Sequence, residues 1–229
     1  VIDTRTAHEF SKAHVAGTVN IPLAYLAAWA GWLVDYEQPV YLLTSATDLP
    51  EAVRVLRKIG ADKLVGFFDS AEVAQRKLNS QSYEQVTASE IHPRVAAGEV
   101  VLIDVRGDVE WQERHISEAK RCFLGKLPNM LEAFTGECPL VFQCRSGGRS
   151  AIATSLAQAA GVQNAKNMEG GIDGWIEAGL PVTRSPEVAG PHSDASANEV
   201  ACQGQAVYWT ASCPASNASR DNVDKDGLR

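Results

Sequence analysis

Leu102-Ile103-Asp104-Val105-Arg106 is an apolar run that ends on a carboxylate and a guanidinium, with Glu110-Trp111 and His115-Ile116 close behind. The same order opens the chain: Val1-Ile2-Asp3-Thr4-Arg5, then Glu9-Phe10 and His14-Val15, every position displaced by one constant interval with no gap. Further on, Pro39-Val40-Tyr41-Leu42-Leu43-Thr44 matches Pro139-Leu140-Val141-Phe142-Gln143-Cys144, and Gly60 matches Gly161. Matches this numerous, in register, mark an internal repeat.

Each repeat alternates short apolar runs with amphipathic stretches, the habit of α/β folds whose parallel strands are joined by crossover helices. Residues 100–105 and 140–143 are too uniformly apolar for one-sided strands and suit a sheet covered on both faces. Residues 127–134 are expected to be helical, as are 150–160, with Gly161 as the stop. Residues 87–97 form a lead-in to the second repeat, with a helix start at Ser89-Glu90-Ile91; the first repeat has none and is expected to be N-terminally truncated. The resulting division is a first unit at 1–68, a polar linker at 69–85, a second unit at 86–184 and a low-complexity tail at 185–229. The tail is rich in Ser, Ala, Asn, Asp and Gly, a composition that cannot offset chain entropy, so disorder is expected there.

The 229 residues are 45% hydrophobic and 21% charged, with a formal net charge of −7, which excludes collagen, coiled coil and wholesale disorder. No general basic field is available for nucleic acid or an anionic membrane, and no apolar run is long enough to span a bilayer. The five cysteines (Cys122, Cys138, Cys144, Cys202, Cys213) are odd in number and contain no C-x-x-C pair, which argues against a disulfide framework or a zinc site and makes a reducing cytoplasm the expected location. His8, His14, His92, His115 and His192 show no ligand spacing, so neither a metal nor a cofactor is expected.

Cys144-Arg145-Ser146-Gly147-Gly148-Arg149 lies between an apolar strand and a helix. Two glycines let the backbone turn tightly and point successive N–H groups inward, and the helix adds the positive end of its dipole. The anion favoured there is the thiolate of Cys144, with Arg145 and Arg149 offering forked donors to an incoming oxyanion. A buried cysteine ahead of a plain turn would give no reason for two arginines flanking two glycines.

These residues carry a resemblance. With the closing Gly170-Gly171-Ile172-Asp173-Gly174-Trp175 and Ala178-Gly179-Leu180-Pro181-Val182, the second repeat resembles a rhodanese domain over nearly all of residues 86–184. The first resembles the family through Asp3-Thr4-Arg5, His14-Val15-Ala16-Gly17 and Asn20-Ile21-Pro22-Leu23. The resemblance implies two α/β domains, each a parallel central sheet flanked by helices. It also implies a sulfurtransferase in which Cys144 takes sulfane sulfur from thiosulfate or a persulfide and passes it to cyanide or a thiol. Arg145, Ser146, Gly147, Gly148 and Arg149 would bind the substrate, and Asp104, Arg106 and Glu110 would form an ion-paired scaffold beneath the loop; His115 and Trp175 would be structural. Arg114, Ser117 and Glu118 depart from the family around His115, and Thr44-Ser45-Ala46-Thr47-Asp48-Leu49 has no thiol, glycine or arginine, so the first copy is expected to be catalytically silent.

Two other readings remain open at this stage. Cysteine phosphatases and arsenate reductases use a similar loop with Cys-x5-Arg spacing, whereas Cys144 and Arg149 are spaced Cys-x4-Arg, which leaves less room above the sulfur. A silent copy ahead of an active one also resembles the C-terminal half of fusions with a metallo-β-lactamase-fold persulfide dioxygenase, in which the active domain would be a persulfide carrier or interaction module for an upstream iron site.

Overall fold

The computed structural model of the chain describes residues 1–134 and 138–185. Cys202, Cys213, His192 and most of the proposed tail lie outside the described residues. Nine strands form two wholly parallel sheets.

In the first sheet, β1 (Ile2–Asp3) and β3 (Val40–Thr44) are central, β2 (Val19–Asn20) and β4 (Leu64–Asp69) are the edges, and the order is β2-β1-β3-β4. Helices α1 (Ala7–Lys12), α2 (Leu23–Leu33) and α3 (Leu49–Lys58) make the connections. In the second sheet, β5 (Gln85–Val86), β9 (Ala165–Met168), β8 (Leu140–Gln143), β6 (Val101–Asp104) and β7 (Lys120–Arg121) follow in that order. The chain leaves β6 towards β7 but leaves β8 towards β9, so the direction of winding reverses between β6 and β8, and ligands in open α/β sheets bind at the carboxyl ends of such strands. Asp104 and Gln143 pair across that point, and Cys144 follows directly.

Several contacts made at the end of β1 recur at the end of β6. Asp3 and Arg5 form a buried ion pair at the end of β1, as Asp104 and Arg106 do at the end of β6, each with its shortest contact at 2.6 Å. The His14 ring stacks on Phe10 at 3.9 Å and His115 stacks on Trp111 at 4.1 Å, and each Nδ1 faces the backbone carbonyl of its ring partner. The residue ahead of the next helix also corresponds: Thr6 caps α1 with Glu9 reaching back to its N–H, and Gly107 precedes α6 (Asp108–Glu113), its N–H donating to Glu110 Oε2 at 3.4 Å.

The polar connector contains α4 (Ser70–Gln75), followed by residues tied to the first unit, with Ser80 and Gln81 N–H groups donating to the His14 carbonyl, and Gln85 begins β5. Residues 124–133 form a 3₁₀ segment instead of an α-helix over 127–134; Pro128 within it has no N–H for the longer-range bond. The lead-in is helix α5 (Ala88–Ala96), capped by Thr87 and Glu90. The first sheet has no counterpart of β5 and α5 among the described residues, so β4 is an edge, and Tyr41, Val65, Phe67 and Phe68 beside it are exposed.

The two units do not have separate cores. One apolar cluster joins Ile21, Leu26, Leu42 and Leu56 of the first to Ile103, Phe142, Cys144, Ile152 and Leu156 of the second; another, around Ile91, Val141, Met168 and Trp175, belongs to the second alone. Helix α7 (Gly148–Ala159) lies at the junction and is buried all round from Ser150 to Ala157. Its Ala, Ser and Thr residues fit that position, since large side chains would hold the sheets apart. Their hydroxyls are satisfied by the preceding turn (Thr154 to the Ser150 carbonyl, 2.8 Å; Ser155 to the Ile152 carbonyl, 2.7 Å). Ser155 also accepts the N–H of Asn20 at 2.9 Å, bonding the units directly.

Candidate active site

Cys144 is the first residue after β8, 1% exposed, and a free thiol. The chain then turns through Arg145, Ser146 and Gly147 into α7. Gly147 is the N-cap of that helix at φ +98°, a left-handed conformation that favours glycine. This geometry turns the Gly147 N–H onto the Cys144 Sγ at 3.2 Å, and the Ser150 hydroxyl lies 3.4 Å from the same sulfur and 3.1 Å from the Gly147 carbonyl, so its one proton can serve either acceptor. The sulfur therefore sits over the first turn of a helix with two donor groups within reach, an arrangement that stabilises negative charge.

The closing motif acts on the loop from behind. Helix α8 (Gly171–Glu177) directs its first N–H groups at the loop: Ile172 donates to the Cys144 carbonyl at 2.8 Å and Asp173 to the Arg145 carbonyl at 3.0 Å. A side chain at Gly171 would run into both carbonyls, and φ is +54° there. Sequence reading used this motif only as a family marker; its mechanical role depends on a contact between segments far apart in the chain.

The arginines are placed differently from one another. Arg149 donates Nη1 to Glu110 Oε2 and Nη2 to Glu110 Oε1, both at 2.6 Å, so its fork is occupied by the carboxylate and does not face an empty anion cradle. That bond holds the Glu110 carboxyl below its ordinary range and raises the Arg149 guanidinium, which also responds to charge on Cys144. Arg145 extends into solvent, 66% exposed, with Nε 3.2 Å from Asp173, which Arg114 also approaches at 3.5 Å. Ser146 is exposed, and Gly148 is half-buried at the start of α7.

Asp104, Arg106 and Glu110 lie beneath the loop. Arg106 grips Asp104 with both Nε and Nη2 and donates to the Arg114 carbonyl at 2.8 Å, which ties the end of β6 to the end of α6. Glu110 accepts Arg106 Nη1 at its backbone carbonyl at 3.4 Å, and its carboxylate is held by Arg149 of the loop.

The first unit has no thiol at the corresponding position. Thr44 stands where Cys144 does, buried, with the Thr4 hydroxyl donating to it at 2.7 Å, and the following turn is closed by Ser45 and Asp48. Beside this turn lies a cavity of about 810 Å³ reached by Ser45, Asp48 and Leu23. Tyr25, on α2, was not singled out from the sequence; it leaves the first unit and meets Gly148 of the loop.

Residues 87–178 match the rhodanese-like domain family. A putative sulfurtransferase of Bacillus subtilis, YtwF, is 31% identical over 93 residues, covering 40% of this chain and 89% of that one. The chain belongs to the rhodanese-like family. The rhodanese-like region is also 29% identical over 104 residues to a sulfurtransferase of Allochromatium vinosum, covering 45% of this chain and 96% of that protein. An uncharacterised Synechocystis protein, slr1261, is 34% identical over 87 residues, covering 38% of this chain and 48% of that protein. The chain thus spans about half the length of that relative. Among the described residues no helix is long and apolar enough to cross a membrane.

Proposed function

We propose that the second unit is a sulfurtransferase that carries sulfane sulfur on Cys144 as a persulfide, and that residues 1–68 are a catalytically silent copy of the same domain. The observation that carries this reading is the pair of donor groups, Gly147 N–H and Ser150 hydroxyl, within reach of a buried free thiol in a six-residue loop. In the first half-reaction the Cys144 thiolate attacks the outer sulfur of thiosulfate; the Cys144 S–S bond forms, the donor S–S bond breaks, and sulfite leaves with the electron pair. In the second, a thiol or cyanide attacks the outer persulfide sulfur and the Cys144 thiolate is the leaving group, which completes a ping-pong cycle. The loop N–H groups are preorganised and stabilise both anions without rearrangement. The names of the Bacillus and Allochromatium relatives agree with this chemistry.

The test is mass spectrometry of the full chain after exposure to thiosulfate. A gain of one sulfur atom on the peptide containing Cys144, absent in Cys144→Ser, is the expected result. Hydrolysis of p-nitrophenyl phosphate without any sulfur gain would overturn the reading in favour of a phosphatase.

A further inference from the structure

Gly148 lies at the first turn of α7, and its missing side chain leaves room for a residue of the other unit. A Cβ built on Gly148 would stand 2.5 Å from the Tyr25 hydroxyl, 2.8 Å from Cζ and 3.2 Å from Cε2, so the phenol edge rests against the Gly148 backbone. Tyr25 belongs to α2, and α2 is pinned to the second unit by Trp29 and Trp32, whose rings lie 6.0 and 5.4 Å from Phe123. Tyr25 is about one-third exposed, and its hydroxyl has no hydrogen-bond partner among the described residues. At the same site, the Arg149 fork is taken by Glu110 and Arg145 is paired with Asp173.

We propose that Tyr25 is a substrate-contacting residue supplied by the silent unit, its phenol O–H donating to an oxygen on the outer end of an oxyanion-bearing sulfur donor bound over Cys144. This inference rests on the sulfur-transfer reading. The Arg149 fork is held by Glu110 and the Arg145 Nε by Asp173, so this hydroxyl adds an unengaged directional donor beside the loop. A donor with no oxygen, such as inorganic polysulfide, has nothing for the hydroxyl to hold.

The experiment compares the full chain with Tyr25→Phe, which keeps the ring against Gly148 and removes only the hydroxyl. Expected is a rise of roughly tenfold in KM for thiosulfate, the loss of one hydrogen bond to a charged acceptor, with the rate of Cys144 persulfide formation from inorganic polysulfide unchanged. Equal KM values for thiosulfate in the two proteins would overturn the inference and leave the sulfur-transfer reading standing. An equal loss with both donors would also overturn it, since that pattern belongs to a residue that only supports the loop. No sulfur gain from either donor in the unsubstituted protein would remove the sulfur-transfer reading and this inference with it.

Discussion

The Arg149 guanidinium and the Glu110 carboxylate form a two-pronged pair, 2.6 Å at each contact, that joins the cysteine loop to α6 across 39 positions of chain. Arg149 therefore fixes the first turn of α7 in place, and substrate meets a loop whose arginine is already spent. Replacing either partner is expected to lower kcat/KM by about tenfold for thiosulfate and for polysulfide alike, the effect of misplacing the loop donors. Steady-state kinetics of Arg149→Lys and Glu110→Gln with the two donors check this; a loss confined to thiosulfate would mean that Arg149 binds the sulfonate directly.

The same pair sets a pH dependence. Glu110 has a folded-state pKa below its ordinary value of 4.5, chiefly through the Arg149 hydrogen bond. A depressed carboxyl contributes stability that is present above the unfolded value and is lost as pH falls through the folded value. The carboxyl is one-third exposed, so the contribution is discounted to about 1 kcal/mol. Urea unfolding of the full chain and of Glu110→Gln should differ by that amount near neutrality and converge well below 4.5. A difference that persists in acid would assign the stability to something other than the ion pair.

Gly171 and Gly179 separate backbone strain from steric conflict. Both have positive φ, +54° and +72°, but a Cβ at Gly171 would strike the Cys144 and Arg145 carbonyls, whereas one at Gly179 meets nothing within 4 Å. Gly179→Ala is expected to cost about 1 kcal/mol of stability and no activity, while Gly171→Ala costs about 3 kcal/mol or more and most of the sulfur transfer. Thermal unfolding with parallel activity assays distinguishes them, and equal behaviour would show that α8 does not hold the loop.

Ser155 tests the junction. Removing its hydroxyl leaves the Asn20 N–H buried without an acceptor, at a cost of about 1 to 3 kcal/mol. Because one apolar cluster runs through both units, the whole molecule should unfold in a single transition that Ser155→Ala shifts as one. Two separated transitions, only one of them shifted, would show that the units are energetically independent.

What could be read from the sequence follows from what each residue faces. β8 is found at 140–143 because a strand buried on both faces must be apolar throughout, and the cysteine loop stands out because its glycines and arginines serve no packing purpose. β5 escaped notice because two residues carry no period, and its place in the sheet is decided by pairing with β9. Helix α7 has little amphipathic pattern because no face of it reaches water. The Arg149–Glu110 pair joins residues 39 positions apart within the second unit, and the approach of Tyr25 to Gly148 depends on how the two units meet; repetition along the chain encodes neither.

The Asp3–Arg5 and Asp104–Arg106 clasps are nearly superimposable in their contacts, although the turns above them hold Thr44 in one case and Cys144 in the other. The clasp thus answers to the architecture of the strand end and is indifferent to what is mounted on it. A chassis of this kind lets one turn be exchanged for another without dismantling the frame.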